Sequence, residues 1–277
     1  VADVNRIFFD DKIALPMGME NGAPILDDLS NVQYFYDRGI RYITLTHAKD
    51  NLICDSSYDT TATWGGLSPF GREVVKEMNR VGIMVDISHV TDDVINQVMD
   101  MTDVPVIASH SSCRHFTPGW ERNMGDAEIK RLKDNGGVIQ INYGSSFITR
   151  VSQDKSKTNS EQIEAYAKEN GLEDGDEIFI AYAKKVNEEN PIYADITEVV
   201  DHIDRVVELA GIDHVGIGSD YDGVGDSLPY GLKDVTSYPN LIFHLLKRGY
   251  SEDDIEKICY KNIWRVWSTV EKTAADS

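Results

Sequence analysis

The chain has 277 residues, of which 41 % are hydrophobic and 27 % charged, enough apolar material for one large core or two ordinary ones. A formal charge of −20 without any basic stripe interleaved with aromatics excludes nucleic acid as a partner, and no run of eighteen apolar residues provides a transmembrane segment. The three cysteines, Cys54, Cys113 and Cys259, are far apart and form no C-x-x-C pair, which excludes a disulfide framework and a thiolate zinc site; their odd number leaves the redox compartment open.

The chain opens Val-Ala-Asp, without an initiator Met, signal peptide or tag. The expectation is that something upstream has been processed away or was never included. Any leader would lie before Val1, so localisation is not readable. From there β and α patterns alternate. Short apolar runs at 13–19 and 40–47 have the character of buried parallel strands. Ser68 then offers an N-cap and Pro69 a first helical position, and Val74, Val75, Met78 and Val81 give that helix an inward stripe. A strand at 83–89, a helix at 92–101, a strand at 104–110, a helix at 126–134 and a strand at 138–143 follow. The polar stretch 151–190 carries helical spacing (Ile163, Tyr166, Ala167; then Ile178, Ile180, Ala181, Tyr182) and is expected to be a helical insertion. A helix at 199–209, a strand at 214–220 and a helix at 251–270 complete the pattern.

Strict β/α alternation implies a parallel sheet with helices outside it. The expected fold is α/β, a (β/α)8 TIM-barrel-like domain spanning 1–277. A closed barrel needs eight strands and only six are visible, so the barrel is expected to be incomplete, without its first two strands.

The ends of the strands carry the chemistry. The first ends on Glu20, the second on His47, the third on His89, the fourth on His110 and the sixth on Asp220. In a barrel, side chains at the carboxyl ends of strands converge on one mouth. Taken singly, Glu20 is a solvated loop carboxylate and each histidine a satisfied loop or core group. Recurrence at five strand ends points to a site. Imidazole and carboxylate suit zinc and other borderline divalent metals, and two His with one Glu leave a coordination position for water. His202 and His244 fall within helical patterns and His214 at the far end of its strand, so these are structural or exposed; His115 is ambiguous. Asp220-Tyr-Asp-Gly223 lacks the third ligand and distal Glu of a calcium loop, and Ser111 and Ser112 have no nucleophile-elbow glycines around them.

The successive segments Arg41-Tyr-Ile-Thr-Leu-Thr-His47, Gly66-Leu-Ser-Pro-Phe-Gly71, Asp86-Ile-Ser-His89, Ala108-Ser-His-Ser-Ser112, Arg122-Asn123 and Gly218-Ser-Asp-Tyr-Asp-Gly223 resemble the signatures of the membrane (renal) dipeptidase family. The likeness runs from about Glu20 to Val270, with Glu20 and His47 spaced by 27 positions and His89 and His110 by 21. The resemblance implies a zinc metallopeptidase that hydrolyses dipeptides with a free C-terminal carboxylate. It implies Glu20 as the carboxylate bridging two zinc ions, with His89 and His110 on the second ion. His47 would contact the substrate at the scissile carbonyl, Arg122 would grip its carboxylate, and Asp220 would shuttle the proton. The loop before Arg122 is one residue longer than the family pattern. A homodimer is implied on the same ground.

One departure stands out. The family opens its barrel on a strand bearing a His-x-Asp pair for the first zinc, and this chain has no histidine before His47. The complete family site holds two zinc ions, so this chain is expected to hold one or none. Two other readings remain beside the dipeptidase: a related barrel metallohydrolase acting on another small amide, lactone or N-acyl amino acid, and a catalytically incompetent fragment.

Overall fold

Six strands build one parallel sheet in a computed structural model that describes residues 1–276. They are β1 (Met17–Glu20), β2 (Ile40–Thr44), β3 (Met84–Asp86), β4 (Ile107–Ser111), β5 (Val138–Ile141) and β6 (Val215–Ile217), and each pairs with the next in chain order. Among the described residues β1 and β6 do not pair, so the sheet curls without closing. All six strands are shorter than the expected runs, and β1 and β4 each extend one residue past theirs, to Glu20 and Ser111. His47, His89 and Asp220 lie beyond the last residues of β2, β3 and β6.

The register brings the site together. Glu20 pairs with Thr44 and Thr44 with Asp86, so the carboxyl ends of the first three strands form one row, and Asp86 pairs with Ile107 at the start of β4. In β4 the register shifts between Ala108 and Ser111, an irregularity of the kind that re-aims a side chain. His110 lies within it.

The helices in chain order are α1 (Ala2–Phe9), α2 (Ser30–Asp37), α3 (Pro69–Val81), α4 (Asp92–Met101), α5 (Asp126–Asn135), α6 (Ser145–Ile148), α7 (Arg150–Asn170), α8 (Glu177–Glu189), α9 (Ile196–Ala210), α10 (Tyr238–Arg248), α11 (Glu252–Glu256) and α12 (Asn262–Asp276). In α3, the Ser68 hydroxyl accepts from Gly71 N–H, Pro69 occupies the first turn, and Gly82 closes the helix at φ +88°. Its stripe Val74, Val75, Met78 and Val81 is buried as expected. The insertion is the helical group α6 to α8, with Tyr166 and Tyr182 stacked at 3.7 Å between α7 and α8. The helix expected at 251–270 is instead α11 and α12 separated by a π-helical turn, Lys257–Lys261. Nothing in the sequence pattern announces α1 and α2, for a physical reason: α1 buries none of its residues and α2 only Val32, so neither carries a core-facing stripe. No helix among the described residues is long and apolar enough to cross a membrane. Cys54 and Cys113 are buried thiols and Cys259 is exposed.

His202, on α9, is a structural histidine. It is fully buried; its Nδ1 accepts from Cys113 N–H at 3.0 Å and its Nε2 donates to the Ile148 carbonyl at 2.9 Å. Burial pulls its pKa down to about 4. An imidazole that is neutral when folded but titrates near 6.5 when unfolded stabilises the fold fully above pH 6.5, and that contribution is lost as the pH falls toward 4. The loss is on the order of 3 kcal/mol. Denaturant melts between pH 7 and 4 are expected to show this slope, and His202→Gln is expected to flatten it.

Candidate metal centre and active site

Glu20 Oε1, His89 Nε2 and His110 Nε2 converge on one point. The carboxylate oxygen is 2.9 Å from each imidazole nitrogen, and the two nitrogens are 2.8 Å apart. Three strands that are distant in sequence therefore deliver three ligand atoms to a single locus. His47 reaches the same locus less closely, its Nε2 3.7 Å from Glu20 Oε1 and its ring 4.3 Å from that of His89. Glu20, His47 and His89 also lie within 4.8 Å of one another as a ligand group. The tighter contacts favour His110 as the third ligand and leave His47 at the cavity wall. Two imidazoles and a carboxylate are the donor set of zinc and comparable divalent cations, so these residues fit such an ion.

The electrostatics agree. The His110 and His89 imidazoles in contact with it hold the Glu20 carboxyl well below the usual carboxylate range, so it is anionic at any working pH. Burial depresses His89 to about 4, which keeps its ring neutral near pH 7. A neutral imidazole and an ionised carboxylate are the forms that ligate metals. His89 also sits at φ +70° and Asp220 at φ +56°, left-handed conformations that are uncommon outside glycine. Asn21, immediately after Glu20, does the same at φ +84°. Such strain clusters at functional sites because it aims side chains where a relaxed backbone would not.

Asp220 follows β6 and lines a cavity together with Glu20 and His89. Its Oδ2 accepts from the Asn142 side-chain amide at 2.9 Å, and Asn142 is in turn held by Gly144 N–H, which donates to Asn142 Oδ1 at 2.7 Å. Asn142 lies just beyond β5, the one strand whose end offers no acid or imidazole. Sequence reasoning sought acids and imidazoles and passed over it, though its strand-end position was the available signal.

Arg122, in the loop between β4 and α5, is buried. Its Nη2 donates to the His110 carbonyl at 2.9 Å, its guanidinium lies 5.0 Å from the Phe147 ring, and its Nε and Nη1 have no partner. A buried cation with unsatisfied donors is costly unless an anion completes it. Glu20, His47, His89, Arg122 and Asp220 line one cavity of about 500 Å³, with Tyr58, Phe147, Ile192 and Val224 among its other walls. Tyr58, whose ring is 5.7 Å from His89 and 6.2 Å from Trp120, is a wall residue that sequence reasoning missed, because it stands on an irregular loop without periodicity. A smaller, largely apolar cavity of about 260 Å³, between Tyr42, Met84 and Trp267, gathers no convergent acids or imidazoles.

Fold and site together define a barrel-type α/β protein with an imidazole–carboxylate cluster at the carboxyl ends of its strands. The chain belongs to the membrane dipeptidase family, peptidase family M19, whose model matches residues 1–277. It is 37 % identical over 273 residues to dipeptidase tcpJ of Claviceps purpurea, covering 99 % of this chain and 55 % of that protein. With an uncharacterized dipeptidase of Schizosaccharomyces pombe it shares 35 % over 266 residues, 95 % of this chain and 54 % of the relative. The chain thus spans about half the length of these curated relatives. Among solved structures, the probable dipeptidase PvdM from Pseudomonas aeruginosa superposes with a TM-score of 0.83 at 32 % identity, covering 99 % of this chain and 73 % of that one.

Proposed function

We propose that the protein hydrolyses the peptide bond of dipeptides bearing a free C-terminal carboxylate, with a divalent metal, zinc in the first instance, held by Glu20, His89 and His110. The observation that carries this reading is the buried Arg122 guanidinium, with two donor nitrogens lacking a partner, in the cavity that Glu20 and His89 also line. A planar, bidentate donor matches a carboxylate, and a cavity of about 500 Å³ limits the ligand to a short chain.

A cation at the cluster supplies Lewis-acid polarisation of a carbonyl and acidification of water. The chain's own residues do the rest. Arg122 binds the terminal carboxylate through its guanidinium and so fixes the scissile bond in the cavity. His47 Nε2 stands at the wall where it can donate to the carbonyl oxygen as negative charge develops there. Asp220, oriented by Asn142, takes a proton at its carboxylate and returns it to the departing amine.

Support for the hydrolase class comes from the family membership, and support for metal dependence from the convergence of the three ligand atoms. These three groups suffice for one cation. Chelation followed by stoichiometric re-addition of zinc is expected to abolish and restore cleavage, and His110→Ala is expected to lose both bound zinc and turnover; full activity after exhaustive chelation would sink the reading. A panel of free dipeptides, amidated dipeptides, N-acyl amino acids and lactones separates the dipeptidase from a related barrel hydrolase, because only the first requires the carboxylate. Elemental analysis that finds no metal in a folded chain, together with no cleavage of any dipeptide, would favour the incompetent fragment.

A further inference from the structure

Asp86 opens the segment Asp86-Ile-Ser-His89, yet neither ligates nor lines the large cavity. It is fully buried and surrounded by donors. Its Oδ1 accepts from the backbone N–H of Ser88 at 3.0 Å and of Ser109 at 2.9 Å. Its Oδ2 accepts from the hydroxyls of Thr44 at 2.5 Å and Ser109 at 2.6 Å. The Ser109 oxygen in turn lies 2.7 Å from His110 Nδ1.

The direction of that last bond follows from counting protons. A carboxylate only accepts, and a serine hydroxyl has a single proton to donate. With that proton committed to Asp86, Ser109 can only accept from His110. The His110 proton therefore sits on Nδ1, and Nε2, the nitrogen 2.9 Å from Glu20 Oε1, presents its lone pair. His89 makes the contrast: its Nδ1 is buried and has no partner among the described residues. One imidazole of the cluster is locked and the other is not.

We infer that Asp86, acting through Ser109, is a positioning residue that holds His110 as the Nδ1–H tautomer with Nε2 aimed at the cation. The inference rests on the proposed function insofar as it takes His110 for a metal ligand. Metal-bound histidines generally donate their other ring N–H to such a partner, and removing that partner weakens metal binding by about 10- to 100-fold.

The two substitutions act differently. Ser109→Ala deletes the acceptor. Asp86→Asn reverses the relay: with its oxygen kept on the two backbone amides, the new NH₂ donates to Ser109, whose hydroxyl proton then turns toward His110 Nδ1. That drives the imidazole proton onto Nε2, the nitrogen the metal needs.

The test is Zn²⁺ affinity of the full chain, by competition with a chromophoric chelator, together with the ring N–H resonance of His110 in ¹H–¹⁵N spectra. Ser109→Ala is expected to bind Zn²⁺ about 10- to 100-fold more weakly and to lose the protected Nδ1–H signal, while Ser109→Thr keeps both. Asp86→Asn is expected to bind more weakly still, and the double variant to return to the level of Ser109→Ala, because reversal needs the hydroxyl. Parent-like affinity and an unchanged Nδ1–H signal in Ser109→Ala, with binding lost in His110→Ala, would overturn the relay alone. Undiminished Zn²⁺ binding in His110→Ala would overturn the ligand assignment beneath it as well. Should Asp86→Asn fail to fold, the Ala and Thr variants at Ser109 decide the matter.

Discussion

Asp220→Asn is expected to lower kcat by about 10²- to 10⁴-fold, the range that acid–base assistance contributes, while bound metal stays at the parent level. The structure separates the two readouts. Asp220 is a partner in none of the Glu20–His89–His110 contacts, so its amide analogue leaves those three atoms in place. Its neighbourhood also accommodates the exchange: Asn142 donates to Oδ2 at 2.9 Å, and the oxygen of an asparagine can take that bond after rotating. What an amide cannot do is accept and return a proton. Gly223 serves the same carboxylate, since a Cβ there would stand 2.1 Å from Asp220 Oδ1. The measurement pairs steady-state kinetics with elemental analysis of the same sample. Near-normal turnover at full metal content would remove Asp220 from the mechanism, and loss of metal together with turnover would make it a ligand instead.

The strand-end pattern of the sequence was legible because two signals coincide there. An apolar run marks a buried strand, and a His, Glu or Asp closing it is chemically conspicuous. Glu20, His89 and His110 meet on that basis, and Arg122 and Asp220 line the same cavity. Other parts of the site were silent for identifiable reasons. Asn142 closes its strand with an amide, which no search for titratable groups selects, yet it orients Asp220. Phe147 belongs to the insertion and reaches Arg122 only through the tertiary fold. Asp86 looked like part of a motif, but its partners Thr44 and Ser109 lie on neighbouring strands and follow only from the register. Four of the six expected strands overran at their carboxyl ends, where the run of residues continues past the ladder. His89 shows why: at φ +70° it cannot continue β3, and that departure is what turns its ring toward Glu20.

Arg122→Lys is expected to raise KM for a free dipeptide by about 10- to 100-fold with a smaller change in kcat, the scale of one or two charge-assisted hydrogen bonds. The guanidinium divides its donors: Nη2 anchors to the His110 carbonyl at 2.9 Å with one hydrogen, and Nε and Nη1 have no protein partner. Burial already pushes its pKa below the ordinary arginine value, so the charge is held there at a cost that a substrate carboxylate offsets. A lysine offers a single point charge and cannot keep the anchor and grip a carboxylate in one plane. Amidating the substrate should impose a comparable penalty on the parent chain, since it removes the other half of the same contact. Combined, the two changes should cost little more than either alone, because residues in direct contact are non-additive. Independent, multiplying effects would mean that Arg122 and the substrate terminus do not meet, and the cavity would then have to bind its ligand in another orientation.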